Sequence, residues 1–283
     1  MIAKLLKHEF VRTRALLGVV FGAALACIAL GCLFVALRIP ILEEFGAILS
    51  LLPVIVLVPA VQILMAVDFW RSSFRSQGYL THAIPVKGAT IYWTKLLWQM
   101  IVTAVAIVVG FLLLALVWFV FGTTFDFGFF GAEPNLFALV GNVLGAAGDI
   151  FPVPVLYGVI IPLLLLAAFF QWPVYYTFAA SVGSAGSLGR MGGGGPVIAA
   201  LLAWLASQVI TFLALVVVPF GVDLAPLEAG NAPEFIHVSI TRLIASGSNS
   251  DIIPLGAFAG VAIMLVAYLW MSQRSWNTKV ELN

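Results

Sequence analysis

The sequence predicts an all-α integral membrane protein with six transmembrane helices, an interfacial amphipathic helix at the N-terminus and both termini on the cytoplasmic side. Three observations predict it. Of 283 residues, 63% are hydrophobic and only 9% are charged, against roughly 25% charged in a soluble domain, which leaves too little polar surface to face water. The apolar residues fall into uncharged runs, several of them longer than the roughly 20 residues needed to cross hydrocarbon. Charge is also segregated between the loops that join those runs.

The runs are 15–37, 46–67, 96–122, 155–181, 196–220 and 252–271, and none contains Asp, Glu, Lys, Arg or His. An ionised residue at a helix centre costs roughly 2.5 to 3.5 kcal/mol on insertion, so clean runs of this length read as spanning helices. A transmembrane barrel would instead need short alternating strands. Of the 13 Lys and Arg residues, all but Arg38 and Arg242 fall on one side. Glu43, Glu44, Asp126, Glu133, Asp149, Asp223, Glu228, Glu234 and Asp251 fall on the other. Cytoplasmic loops collect Lys and Arg, which puts both termini inside and requires an even number of spans.

Residues 1–14 place Ile2, Leu5, Leu6 and Phe10 at helical spacing, with Lys4, Lys7, His8 and Arg12 largely on other faces. That pattern suits a helix lying in the inner interface against anionic headgroups. A secretory signal has an apolar stretch of only about 7 to 15 residues, whereas the run here is a full span. Ala24 stands where a lipoprotein cleavage box would carry leucine before Cys27. Cys27 and Cys32 are the only cysteines; they lack the spacing of a metal site and read as packing residues.

Two outer connections are long, 123–154 and 221–251. Within them, 134–145 and 234–244 are the best candidates for short interfacial or re-entrant helices, with strand or ordinary outer loop as the alternatives over such short pieces. Pro53, Pro59, Pro162, Pro173 and Pro219 lie in or beside spans and predict kinks. Gly18/Gly22 and Gly256/Gly260 each form a GxxxG pair, which permits close helix contact within one bundle or between two copies.

No catalytic constellation is present in the sequence. His8, His82 and His237 are scattered over both sides, and no H-E-x-x-H, C-x-x-C or G-x-S-x-G occurs. The Gly192–Gly195 run is not followed by Gly-Lys-Ser/Thr, so it reads as a flexible inner turn, with Gly183, Gly186 and Gly189 extending the linker. With a net charge of +1, bulk electrostatics gives no sign of a nucleic-acid partner.

The distinctive segment is the second inner connection, 68–95. Trp70, Phe74, Tyr79, Leu80, Ile84, Ile91, Tyr92 and Trp93 interleave there with Arg71, Arg75, Lys87 and Lys95. Apolar side chains held below the membrane must find a partner surface or the headgroup layer. Gly78 suits the end of a helix that continues the second span, and Pro85 suits a turn before the third.

The stretch Gly78-Tyr79-Leu80-Thr81-His82-Ala83-Ile84-Pro85-Val86 resembles the Gly-Tyr-Leu-Thr…Leu-Pro-Val loop of bacterial type 2 ATP-binding-cassette (ABC) exporter permeases. The basic amphipathic start, the six-span layout and the short basic tail after Met271 are similar to that family as well. The chain departs from the pattern at Ser76-Gln77, where acids commonly stand, and at Lys87-Gly88, where Ser-Arg is more usual.

The resemblance implies a permease in the bacterial cytoplasmic (inner) membrane that couples to a separate ATPase subunit. It implies that Gly78, Tyr79, Leu80, Thr81, His82, Ile84 and Pro85 form the coupling surface, with Arg75 and Lys87 as flanking charges. ATP and Mg would be bound by the partner, with no cofactor in this chain and no enzymatic activity of its own. A second permease copy or a sister permease would complete the membrane dimer. Gln62, Gln99, Thr103, Gln171, Thr177, Ser207, Gln208 and Thr211 are the polar residues within spans that could line a substrate path or simply bond between helices. Two other readings compete: an ion-coupled carrier or channel, which usually needs ionisable residues at mid-membrane, and a membrane scaffold that transports nothing.

Overall fold

Each of the six uncharged runs lies wholly or mostly in a helix long and apolar enough to cross a membrane in the computed structural model of the chain. The structure describes residues 2–37, 39–75, 78–79, 85–121, 136–223, 234–237 and 252–278. In chain order the helices are α1 (Ile2–Ala36), α2 (Pro40–Phe74), α3 (Gly88–Phe121), α4 (Leu136–Ile150), α5 (Val153–Gly183), α6 (Gly186–Gly189), α7 (Gly194–Val217) and α8 (Leu255–Thr278). Three short strands, β1 (Phe220–Asp223), β2 (Glu234–His237) and β3 (Ile252–Pro254), complete the described elements. The chain is an α-helical, multi-pass membrane protein.

Helices α1, α2 and α3 extend beyond the runs that announced them. At 1.5 Å per residue, 34 or 35 residues span about 50 Å, well over the ~30 Å hydrocarbon thickness. Residues 1–14, expected to lie as a separate interfacial helix, are instead continuous with the first span from Ile2 onward. No Gly or Pro interrupts Phe10-Val11-Arg12-Thr13-Arg14-Ala15, so nothing there ends the helix.

The chain divides into two compact units, one of Met1–Asp68 with Trp93–Asp149 and one of Phe69–Tyr92 with Ile150–Asn283. The first is built on α1, α2 and α3. Its core joins Leu17, Ala24, Ile28 and Val35 of α1 to Leu57, Val61 and Met65 of α2 and to Val102, Ala106, Leu113, Val117 and Phe121 of α3. Steps of four and seven residues keep each set on one helical face. Where α1 meets α2, a Cβ on Gly31 would lie 2.6 Å from the Gly46 carbonyl oxygen, and a Cβ on Gly46 would lie equally close to that of Gly31. The backbones touch because neither residue has a side chain. Gly18 and Gly22 have open space where a Cβ would stand, so that GxxxG pair brings no other helix into close contact among the described residues. In the 123–154 connection, the helix expected over 134–145 is present in its described part as α4, and Phe137 meets Phe111 of α3 edge to face at 5.5 Å.

The second unit packs α5, α7 and α8 together. Phe178 of α5 stacks on Tyr268 of α8 with ring centroids 4.4 Å apart, and the Tyr268 hydroxyl donates to the Ala203 carbonyl of α7 at 2.8 Å. Gly256 and Gly260 of α8 lie against the Thr211 to Val218 stretch of α7, with atoms 2.8 to 2.9 Å from their built Cβ positions. This pair therefore serves packing inside the unit.

Helix α5 widens twice into π turns, at Leu156–Ile160 and Leu166–Phe170. Each precedes a proline, Pro162 and Pro173. A proline ring collides with the carbonyl four residues before it, and those carbonyls, of Gly158 and Phe169, lie inside the two widened turns. The prolines thus widen the helix where sharp kinks were expected.

Two boundaries and one element differ from the sequence reading. Helix α7 stops at Val217, because Val218 precedes Pro219 and takes an extended conformation (φ −112°, ψ 78°). Residues 252–254, assigned above to the last span, form β3, which leads into α8. Glu234–His237, a helical candidate, is strand β2. The sheet order is β2-β1-β3, antiparallel throughout, with Val222 opposite Phe235 on one side and Ile253 on the other. Four residues rich in aromatic and β-branched types gain more from an existing strand edge than from a helix too short to nucleate. Residues 238–244 of that candidate lie outside the described residues.

Adding one methyl at the α1–α2 crossing, by Gly31→Ala, forces the two backbones apart at a cost of about 1 to 3 kcal/mol. The purified variant is expected to unfold at a lower temperature in detergent. Melting at the wild-type temperature would remove that contact as a constraint.

Candidate functional site

The second connection is anchored by one side chain that the sequence reading passed over, Trp276 near the end of α8. Phe69 and Phe74 from the end of α2 and Tyr92 from the start of α3 surround its indole, with ring centroids 5.9, 5.5 and 6.0 Å away. All four rings are nearly inaccessible. The indole Nε1 donates to the Ser181 hydroxyl of α5 at 3.0 Å, and the Ser275 hydroxyl donates to the Ser181 carbonyl at 3.4 Å. Gly88 sits so close that a Cβ there would come 2.8 Å from the Trp276 carbonyl oxygen. Phe69, Phe74 and Tyr92 therefore find their partner surface inside the unit. Aromatic pairs of this kind contribute about 0.5 to 1.5 kcal/mol each beyond burial.

Past Phe74 the chain bends at Arg75, and the Gly78 amide donates to the Arg75 carbonyl at 2.7 Å. Gly78 is buried, while its neighbour Tyr79 is 61% exposed. Pro85 and Lys87 are exposed, and the Thr90 amide donates to the Lys87 carbonyl at 2.8 Å as α3 begins. Leu80, Thr81, His82 and Ile84 lie outside the described residues. Of the expected coupling surface, the structure thus holds Tyr79 outward on a turn that Gly78 seats inward.

Arg75 lies over the Trp70 ring, with its guanidinium carbon 4.9 Å from the centroid, and Trp70 Nε1 donates to the Ser184 hydroxyl at 3.1 Å. The glycine-rich segment between α5 and α7, expected as a flexible linker, forms the short helix α6 and a relay of turns. In it the amides of Met191, Gly192, Gly194 and Gly195 donate to the carbonyls of Leu188, Gly189, Met191 and Gly192. Gly192 has φ +60°, a left-handed conformation that favours glycine, and a Cβ on it would stand 2.5 Å from an Arg75 guanidinium nitrogen.

The polar residues expected within spans separate into two groups. Gln171, Ser207, Gln208 and Thr211 line one cavity of about 290 Å³ in the second unit, together with Trp172, Tyr175, Trp204 and Tyr268. The side chains of Gln171 and Trp172 donate to the carbonyls of Ala167 and Ala168 in the widened turn of α5. The Tyr175 hydroxyl donates to the Ala200 carbonyl of α7. These bonds spend the polar ends of the side chains on backbone and leave aromatic faces toward the cavity. Thr177 is fully buried and donates to the Pro173 carbonyl of its own helix at 2.9 Å. Gln62, Gln99 and Thr103 are buried in the first unit. The aromatic walls of the cavity escaped notice in the sequence because Trp and Tyr are ordinary residues for a membrane helix.

The first unit holds a charge cluster that the sequence reading also missed. Arg12 of α1 pairs with Asp68 of α2 at 2.6 Å and with Glu9 one turn back, and Lys95 of α3 reaches Glu9 at 3.5 Å. The Lys95 side chain is 4% exposed and that of Glu9 8%. Thr13 beside them accepts from Trp98 Nε1 at 3.1 Å, and Trp98 meets Phe10 edge to face at 5.9 Å. Two acids balance two bases, which is the condition for keeping charge out of water. One signal pointed to it: Glu9 and Asp68 are two of only three acids on the basic side, the third being Glu281.

No family model, curated protein or solved structure matches this chain. Among the described residues, no group of three or more His, Cys, Asp or Glu is placed to hold a metal ion. The functional reading therefore rests on the chain's own geometry and sequence.

Two outcomes follow from these contacts. Trp276→Ala removes the ring shared by Phe69, Phe74 and Tyr92 and is expected to cost about 3 to 5 kcal/mol. Hydrogen exchange should then rise in the second connection ahead of the rest of the unit; uniform protection across both would sink its anchoring role. Lys95→Met leaves the buried Glu9 carboxylate with one cation fewer, a loss of up to about 3 to 5 kcal/mol. Combining it with Glu9→Gln should restore part of that loss, and strict additivity in a double-mutant cycle would show that the pair is not coupled.

Proposed function

We propose that the chain is the membrane-spanning subunit of a bacterial type 2 ABC exporter, working in the cytoplasmic membrane with a separate ATPase subunit. The observation that carries this reading is the outward Tyr79 on an aromatic-anchored elbow. A large aromatic side chain that is 61% exposed, on a connection whose Phe74 and Tyr92 are buried, suits a contact with a partner. The elbow is tied through Trp276 to α8 and, through Ser181, to α5. A push on Tyr79 would therefore reach two helices that also line the Gln171–Gln208 cavity. The resemblance of Gly78 to Val86 to the exporter loop supports the same assignment, with Arg75 and Lys87 flanking the contact.

In this reading the ATPase binds ATP and Mg, and its closure moves the elbow. A second permease copy or a sister permease completes the path, and rigid helices convert the push into alternating opening. Polar side chains around the second-unit cavity offer neutral hydrogen bonds to a passing cargo. The ion-coupled alternative gains little support from the Glu9–Arg12–Asp68–Lys95 cluster, because an ion path usually needs ionisable residues at mid-membrane and these four lie outside the uncharged runs.

Replacing Tyr79 with Asp puts a charge where an apolar contact is needed. Co-purification with the ATPase subunit is expected to fall at least tenfold, as is cargo-stimulated ATP turnover, with membrane insertion unchanged. A variant complex that remains assembled and active would overturn the coupling role of Tyr79.

A further inference from the structure

The second unit contains a recessed basic cavity, of which the exporter reading uses only Arg75, as a flanking charge. It has a volume of about 340 Å³ and is lined by Trp70, Phe74, Arg75, Ser184, Arg190 and the turn glycines Gly189 and Gly192. Arg75 and Arg190 come from different inner connections and converge on one space. Both are exposed at its mouth. Among the described residues, no acid lines the cavity and neither arginine pairs with a carboxylate.

Three further features make this a built site rather than a patch of surface charge. Ser184 is buried and accepts the Trp70 indole hydrogen at 3.1 Å, so its own hydroxyl hydrogen remains to be donated. The Trp70 ring holds the Arg75 guanidinium from one side. Gly192 allows the same guanidinium to approach from the other, since any side chain there would occupy its place. Two forked cations and a hydroxyl donor around a small cavity match the oxygens of a phosphate group, which accepts from several donors at once. A protein carboxylate offers fewer acceptors and would have to enter a recess rather than meet a protruding side chain. Met191, 55% exposed beside Arg190, adds the apolar-next-to-basic character of a membrane interface.

We propose that Arg75, Arg190 and the Ser184 hydroxyl bind a phosphate group, supplied by the headgroup of an anionic phospholipid. With the orientation that the basic residues predict, the cavity faces the inner leaflet, where such lipids are attracted by Lys and Arg. The site stands independently of the exporter reading, since a lipid phosphate can dock whether or not an ATPase does.

The test is native mass spectrometry of the purified full chain titrated with phosphatidylglycerol, with diacylglycerol of the same tails as the phosphate-free probe. Wild-type protein should retain phosphatidylglycerol and not diacylglycerol. The R75Q/R190Q double variant should bind it about tenfold more weakly or worse, while R274Q, which alters an arginine stacked on Trp270 outside the cavity, should bind as wild type. Gly192→Ala, which displaces Arg75 without removing charge, should weaken binding too. Displacement of the lipid by millimolar inorganic phosphate, with equal affinity for both, would support the phosphate site and assign it to the free ion. Equal retention by wild type and R75Q/R190Q would overturn the proposal. So would loss of only the ATPase partner in that variant, which would make the cavity a protein contact.

Discussion

Hydrocarbon offers no hydrogen bonds, so every polar group that enters it must be satisfied by the protein itself. That constraint shapes both units. It makes the spans helical, since a helix closes its own backbone bonds, and it decides where the few remaining polar side chains go. Ser50 and Thr177 return their hydroxyl hydrogens to carbonyls of their own helices. The hydroxyls of Tyr175 in α5 and Tyr268 in α8 reach carbonyls of α7. Where α5 widens before its prolines, Gln171 and Trp172 bond to carbonyls of the widened turn. A defect in the helix is thereby converted into one wall of a cavity.

The same constraint treats charge more severely. The first unit gathers four ionisable groups, Glu9, Arg12, Asp68 and Lys95, into one cluster, and they are tolerated there because they neutralise one another. The arrangement joins α1, α2 and α3 at one level by directional bonds, which apolar packing alone would not fix in register. In the second unit the corresponding task falls to aromatic packing. Trp276 gathers the ends of α2 and α3 against α8, and its indole hydrogen fixes the cluster to α5.

Much of the fold was legible in the sequence because hydrophobic run length and charge segregation are local, one-dimensional quantities. The six helices follow from them, whereas the helix within 123–154 was only a candidate, with strand or ordinary loop as alternatives. The continuity of Ile2–Ala36 did not, since an amphipathic start looks the same whether the helix later turns or runs straight on. Strand β2 was also hidden: Glu234–His237 becomes a strand only because β1 is there to pair with it. For the candidate site, the inner connection stood out by composition, yet the sequence could not say which of its aromatics point inward. Phe74 and Tyr92 are buried and Tyr79 is not, although all three look alike in the sequence.

By itself, then, the sequence determined the solvent of this protein, the number of its long helices and the segment in which basic and aromatic residues crowd together. Those properties depend on transfer free energies summed along the chain. Only the tertiary structure decided that Trp276 anchors that segment, that Glu9 meets Lys95, and that Arg75 and Arg190 share a cavity. Each of these joins residues far apart in the chain, and such pairings are set by how helices cross and by which side chains fit between them.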